Sequence, residues 1–183
     1  MSLTKLAQKL ISEKFDTVKY GVDATCGNGN DTLFLAGICD IDGMIFSFDV
    51  QNEALDNAEK LLADNNLYTG VMLINSGHEN MEKLIKSKVD VVMFNLGFLP
   101  NSESKICTLS KSTISALNSS NNLLRAGGMI TVLCYPGTDE GKKETEDVRN
   151  WLDEKDNIEF RISEYLSEKP DDTTPVLYLL EKL

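Results

Sequence analysis

Four short stretches hold side chains that could do chemistry. Asp23-Ala-Thr-Cys-Gly-Asn-Gly-Asn-Asp31 sets Gly27 and Gly29 between carboxylates and amides. Phe48-Asp-Val-Gln51 ends an apolar run in Asp49 and Gln51, Ser76-Gly-His78 carries the only histidine, and Asn95-Leu-Gly-Phe98 closes a second apolar run. Glycines in a turn let the backbone take positive φ and approach a ligand with no Cβ in the way. A helix from Thr32 would follow, offering unpaired N–H groups and the positive end of its dipole. Asp49 lies about twenty residues past the turn, the spacing at which an acid meets a ribose diol in a nucleotide-binding βα unit. The alternative for Asp49 is a helix N-cap. The third glycine of the dinucleotide fingerprint is missing, with Thr32 in its place.

The sign of the charge chooses the ligand. Two carboxylates at the turn, Asp23 and Asp31, would repel phosphates and hold an amine or a sulfonium. The expected cofactor is therefore S-adenosylmethionine and not NAD, with Cys26, Gly27, Asn28, Gly29 and Asn30 forming the turn around it. For Asp31 the competing role is a first-turn acid that complements the helix dipole. His78 is read as bonding the adenine or ribose side of the cofactor, or else as capping a following helix. With no second histidine and no suitable cysteine beside it, no metal is expected. Asn95 has its own chemistry. An amine needs no strong base if its lone pair is aimed at an activated methyl, and an amide oxygen with a backbone carbonyl, here that of Leu96, can accept the two amine hydrogens. Phe98 could stack on a base, or serve as core. Such catalysis is mostly proximity and orientation.

The elements that must position these residues are legible in the spacing of apolar side chains. An amphipathic helix over 3–14 precedes a strand over 18–24 and a helix over 32–39. The turn Asp40-Ile-Asp-Gly43 leads to a strand over 44–49 and a helix over 53–65. A strand over 71–74 and a short helix over 79–87 come next. Residues 89–95 read as a central strand buried on both faces, followed by a loop and a helix over 110–124 that Ala126-Gly-Gly128 ends. A strand over 129–135 and a helix over 139–153 lead to two strands, 159–165 and 175–181, joined without a helix. Alternation predicts an α/β fold with a mostly parallel seven-stranded sheet and helices on both faces. The last two strands predict an antiparallel hairpin at one edge. Polar residues collect at the carboxyl ends of four strands, where open α/β sheets bind ligands.

With 183 residues, 42% hydrophobic, the chain suits a single domain over 1–183. No apolar run approaches the ~18–20 residues of a membrane span, and the N-terminus lacks the apolar core of a signal peptide. Four scattered cysteines fit a reduced, cytoplasmic protein. A net charge of −11, from 29 acids and 18 bases, argues against non-specific nucleic-acid binding. A local basic surface could still dock a structured RNA, and Lys105, Lys111, Arg125, Lys142 and Lys143 are the residues expected to border the site.

On these stretches the chain resembles class I S-adenosylmethionine-dependent methyltransferases, whose Rossmann-like sheet ends in such a hairpin. The residues 95–98 repeat the logic of the Asn-Pro-Pro-Tyr/Phe motif of amino-group methyltransferases, with Leu96 and Gly97 for the prolines. More narrowly, the chain is similar to the small bacterial family labelled rRNA methylase and associated with tRNA wobble-uridine modification (the MnmM-type methyltransferases). Lys105-Ile-Cys-Thr108, Leu124-Arg-Ala-Gly-Gly128 and Tyr135-Pro-Gly-Thr-Asp-Glu-Gly141 match as well. The resemblance implies N-methylation of 5-aminomethyl-2-thiouridine in the tRNA anticodon stem-loop, and a homodimer. It implies cofactor contacts from Asp23, Asn28, Asn30, Asp31, Asp49, Gln51, Ser76 and His78, and from Asn95 as well. Asn95, Leu96 and Phe98 would be catalytic, and Gly97, Phe98, Leu99, Lys105 and Tyr135 would meet the substrate. Two departures stand out: Asn101-Ser-Glu103 where the family has glycines, and Thr138 where it often has histidine. The competing readings are a small-molecule amine N-methyltransferase and a cofactor-binding protein without turnover.

Overall fold

A computed structural model describes residues 1–97, 108–155, 157–167 and 170–183. Seven strands form one sheet: β1 (Val18–Asp23), β2 (Cys39–Asp49), β3 (Val71–Asn75), β4 (Val89–Asn95), β5 (Leu124–Cys134), β6 (Phe160–Tyr165) and β7 (Val176–Lys182). Their order is β3-β2-β1-β4-β5-β7-β6. Every pairing is parallel except β5–β7 and β6–β7, which are antiparallel. The expected α/β sheet with a C-terminal hairpin is therefore what the chain adopts, and its strand order reverses between β1 and β4, where such sheets open a crevice.

β4 is the axis. Val89 through Phe94 are all buried, and alternate residues face opposite layers, as strand geometry dictates. Val91 and Met93 pack with Ala7 and Ile11 of α1 (Leu3–Lys14) and with Leu35 of α2 (Asn30–Gly37). Val92 and Phe94 pack with Ala116 and Leu117 of α5 (Ser110–Leu123) and with Val148 and Trp151 of α6 (Asp139–Lys155). Each buried Val, Leu, Ile, Met or Phe among them contributes about 1.5–3 kcal/mol by leaving water. α3 (Asn52–Asp64) lies beside α2. Among the described residues no helix is long and apolar enough to cross a membrane.

Four expectations change in detail. The turn at 40–43 lies inside β2, because the ladder skips from the Val18–Cys39 pair to Tyr20–Met44. Gly43 is needed there, since a Cβ would sit 2.5 Å from the Lys19 carbonyl oxygen. Ala126-Gly-Gly128 is likewise an irregularity within β5, between the Val89–Leu124 and Val91–Met129 pairs. The helix expected over 79–87 is only a 3-10 turn, His78–Asn80, and one α-helical turn, α4 (Met81–Leu84), before Ile85 becomes extended. Arg125 is also displaced from its expected place. It pairs with Asp90, which takes the Lys19 and Tyr20 N–H groups at 2.7 and 2.9 Å at the amino ends of the strands, opposite the crevice.

Gly29 caps α2 at φ 81°, and a Cβ on it would lie 2.7 Å from both Cα and Cβ of Ala58 in α3. Backbone cannot yield as a flexible side chain can, so Gly29→Ala is expected to destabilise the fold by about 2 kcal/mol. Denaturant unfolding measures this. A midpoint equal to wild type would mean that α2 and α3 do not meet at this turn.

Candidate active site

A cavity of about 680 Å³ opens at the carboxyl ends of β1, β2, β3 and β4. Its floor begins where β1 and β4 are tied together: Ala24 N–H donates to the Met93 carbonyl at 2.8 Å, and Asn95 N–H donates to the Thr25 hydroxyl at 2.7 Å. Next to it the glycine turn folds over Asp49. Gly27, at φ 51°, donates its N–H to one oxygen of that carboxylate and Gln51 donates its N–H to the other, both at 2.9 Å. Asp49 thus clamps the loops after β1 and β2 while still lining the cavity. His78 Nδ1 lies 3.0 Å from the Ala24 carbonyl. A carbonyl only accepts, so Nδ1 carries the proton and Nε2 is left as an acceptor. Burial holds the imidazole below its ordinary pKa and therefore neutral.

The far wall comes from α6 and the segment after β4. Thr113 and Thr108 donate to the two oxygens of Glu144 at 2.6 and 2.7 Å, and Thr108 accepts the Gly97 N–H at 2.9 Å. Glu144 is 4% exposed, and burial raises its pKa. Gly141 presses against the chain after β5, where a Cβ would lie 2.1 Å from the Tyr135 carbonyl. Thr138, the departure from histidine, accepts the Gly141 N–H at 3.0 Å and so caps the start of α6.

Charge in this cavity has one sign. Asp31, Asp49, Glu79, Glu140 and Glu144 line it, and no lysine or arginine does among the described residues. No group of three or more His, Cys, Asp or Glu among those residues could hold a metal ion.

Three comparisons bear on this geometry. Residues 45–181 match the model of the family described as "Putative rRNA methylase". The chain is 40% identical to a "putative rRNA-methylase" of Clostridium thermocellum of known structure, with a TM-score of 0.93 over 98% of this chain and 97% of that one. The chain belongs to this family of class I S-adenosylmethionine-dependent methyltransferases. A "putative methyltransferase" of Streptococcus mutans, solved in complex with SAH, is 31% identical at a TM-score of 0.89, covering 100% of this chain and 99% of that one. A curated relative, the chloroplastic tRNA (mnm(5)s(2)U34)-methyltransferase of Arabidopsis thaliana, is 36% identical over 146 residues, 74% of this chain. This chain spans about half of that relative's length, 52%.

The donor set of the methyltransferase suits its cofactor. S-adenosylmethionine presents a ribose diol, a purine and a sulfonium, and the cavity presents a pinned carboxylate, an imidazole acceptor and further carboxylates. Of the residues expected from sequence, Cys26, Gly27, Asn28, Asn30, Asp31, Asp49, Gln51, Ser76, His78, Asn95, Leu96, Gly97 and Tyr135 line the cavity. Phe98, Leu99, Lys105 and Asn101-Ser-Glu103 lie outside the described residues. Gly29 is in the turn but not on the cavity wall. Asp23 is not on the wall either: it is 1% exposed, and it takes the Thr32 hydroxyl at 2.6 Å and the Thr25 N–H at 3.1 Å. It braces the glycine turn from beneath. Cys26 is a buried thiol whose pKa burial pushes up, so it is no nucleophile.

Glu144 and Thr173 are cavity residues absent from the sequence reading, and Thr108 entered it only as the end of the matching stretch Lys105-Ile-Cys-Thr108. Glu144 had a signal, because it stands one helical turn before Val148 and shares the apolar face of α6 with Trp151 and Leu152. Thr173 had none.

Burial, with the neighbouring Asp31 second, pushes the Asp23 carboxyl up from 3.8 to about 7. It is neutral below that pH and charged above it. The affinity for S-adenosylmethionine, a cation at sulfur, is expected to rise by about 1 kcal/mol, roughly fivefold, as pH increases through this value. S-adenosylhomocysteine, neutral at sulfur, should gain much less. Calorimetry of both ligands across that range measures the ratio, and a ratio independent of pH would sink this account of the acid beneath the turn. The same shift means that the apoprotein loses Asp23's contribution to stability as pH rises through about 7.

Proposed function

We propose that the methyltransferase acts on the primary amine of 5-aminomethyl-2-thiouridine at the tRNA wobble position, giving 5-methylaminomethyl-2-thiouridine. The observation that carries this reading is Asn95, an amide at the carboxyl end of the central strand, set in an acid-lined cavity beside Asp31. A bound S-adenosylmethionine supplies a methyl group already activated by its positive sulfur, so the protein has little bond chemistry to assist. Asn95 Oδ1 and the Leu96 carbonyl accept the hydrogens of the incoming amine and point its lone pair. The surrounding carboxylates favour an amine that arrives as an ammonium and accept the proton it must lose before its lone pair can attack the methyl carbon as the carbon–sulfur bond breaks, and they disfavour a phosphate.

The curated relative is named for a tRNA nucleoside of this kind, which supports an RNA substrate. Lys142 and Lys143 are exposed on α6 directly after the cavity residues Glu140 and Gly141. With Lys111, exposed on α5 next to the cavity residue Ser112, they are the cations that would meet an anticodon stem-loop. The reading includes a cytoplasmic homodimer, in which two such edges would face the RNA. The net charge of −11 favours a second reading, a small-molecule amine as substrate.

Mass spectrometry of tRNA nucleosides separates the two. Cells lacking the protein should accumulate 5-aminomethyl-2-thiouridine, and purified protein with S-adenosylmethionine should convert it in the isolated tRNA. An unchanged nucleoside profile, with no conversion in vitro, would transfer the proposal to a small amine.

A further inference from the structure

The first helix is not only packing. Gln8 of α1 stands behind the cavity wall and donates from Nε2 to Asp31 Oδ1 at 2.8 Å. Asp31 is 7% exposed and lines the cavity, as does Asn95, whose side chain favours the ionised form of the Asp31 carboxyl. One turn earlier on α1, Thr4 stands against the side chain of Tyr135, which lines the same cavity. Residues four apart share one helix face, so a single stripe of α1 touches the site at two points.

An ionised carboxylate accepts and does not donate. The part of the Asn95 amide that faces Asp31 must then be its NH2, which leaves Oδ1 as the acceptor for the rest of the cavity. If Asp31 were protonated, its O–H could donate to Asn95 Oδ1, and the amide would turn its NH2 to the substrate. An NH2 donor cannot receive the hydrogens of an amine. The orientation of Asn95 therefore depends on Asp31 remaining ionised while buried, and a donor is what favours the ionised form.

We propose that Gln8 is a positioning residue: through Asp31 it holds the Asn95 amide with its oxygen toward the substrate, which selects a nucleophile bearing hydrogens on nitrogen. This rests on the amine reading given under Proposed function. The groups that face Asp31 are Gln8 from α1, Asn95 from β4, Asp23 from β1 and Tyr135 after β5. Burial is the largest influence on the Asp31 carboxyl and raises its pKa, while Gln8 and Asn95 oppose the rise. Asp23 adds negative charge once it ionises, with Asp49 beyond it.

The test compares wild type, Gln8→Ala and Gln8→Glu in two measurements. The first is kcat against pH with tRNA carrying 5-aminomethyl-2-thiouridine. The second is the pH titration of the Asp31 carboxyl carbon by NMR in the unliganded protein, which needs no substrate. Gln8→Ala should lose about tenfold in kcat at the acid end of the profile and little at the alkaline end, the loss of one hydrogen bond to a charged group. Gln8→Glu, which places a second carboxylate against the first, should shift the acid limb further. The Asp31 titration should move upward in the same order. An unmoved acid limb and an unmoved titration would overturn the inference, as would a loss of kcat equal at every pH, which marks mere packing. Wild type that methylates no such tRNA at any pH removes the amine reading and this inference with it. An active wild type whose variants keep its profile removes the inference alone.

Discussion

Asn95→Ala is expected to lower kcat by about a hundred- to a thousandfold, the range seen when one hydrogen-bonding group that orients or stabilises the reacting atoms is removed. The substitution leaves the backbone intact. The Asn95 N–H still bonds the Thr25 hydroxyl, so the junction of β1 and β4 survives. Affinity for S-adenosylhomocysteine should stay within a few-fold of wild type, because Asp49, Gln51 and His78 stand at other strand ends. Single-turnover kinetics with calorimetry separate the two quantities. If ligand affinity fell as far as kcat, Asn95 would belong to the cofactor's seat and not to the amine's.

Asp49→Ala should have the opposite signature. Its carboxylate holds the Gly27 and Gln51 N–H groups, each at 2.9 Å, and faces the cavity with its remaining lone pairs. Removing it frees two loops and deletes the acceptor expected for the ribose diol. A loss of about 3 kcal/mol follows, roughly a hundredfold in affinity. Both S-adenosylmethionine and S-adenosylhomocysteine should lose it equally, since both carry the ribose. Calorimetry decides, and a loss confined to the sulfonium form would show that Asp49 answers charge and not hydroxyls. Together the two variants divide the cavity into a cofactor half at β1–β3 and a reacting half at β4.

How much of this was legible in the chain differs from residue to residue. The β4 strand announces itself, because seven residues with no helical periodicity have to be covered on both faces. Asp49 and the Gly27/Gly29 turn follow from spacing alone. Asp23 does not: its residue type promises a ligand contact, yet the carboxylate turns under the loop to Thr32. Arg125 looked like an RNA contact because it is a surface cation near a glycine loop, but that loop is a strand irregularity at the other end of the sheet. The turn signals at 40–43 and 126–128 misled for one reason. Glycine marks positions where a side chain cannot fit, and a bulge in a strand meets that condition as well as a turn does.

The order of strands and helices, the class of sheet and the polar character of the strand ends come from local patterns, which adjacent residues create among themselves. Which acids face the cavity, that Gln8 backs Asp31, and which threonines hold Glu144 were decided only by the tertiary structure. Gln8 lies 23 residues from Asp31, and Glu144 lies 31 and 36 residues from its threonine partners. Hydrogen-bond partners of that kind arise when distant elements pack: the apolar face of α6 marks Glu144 for burial, but no local pattern names its partners.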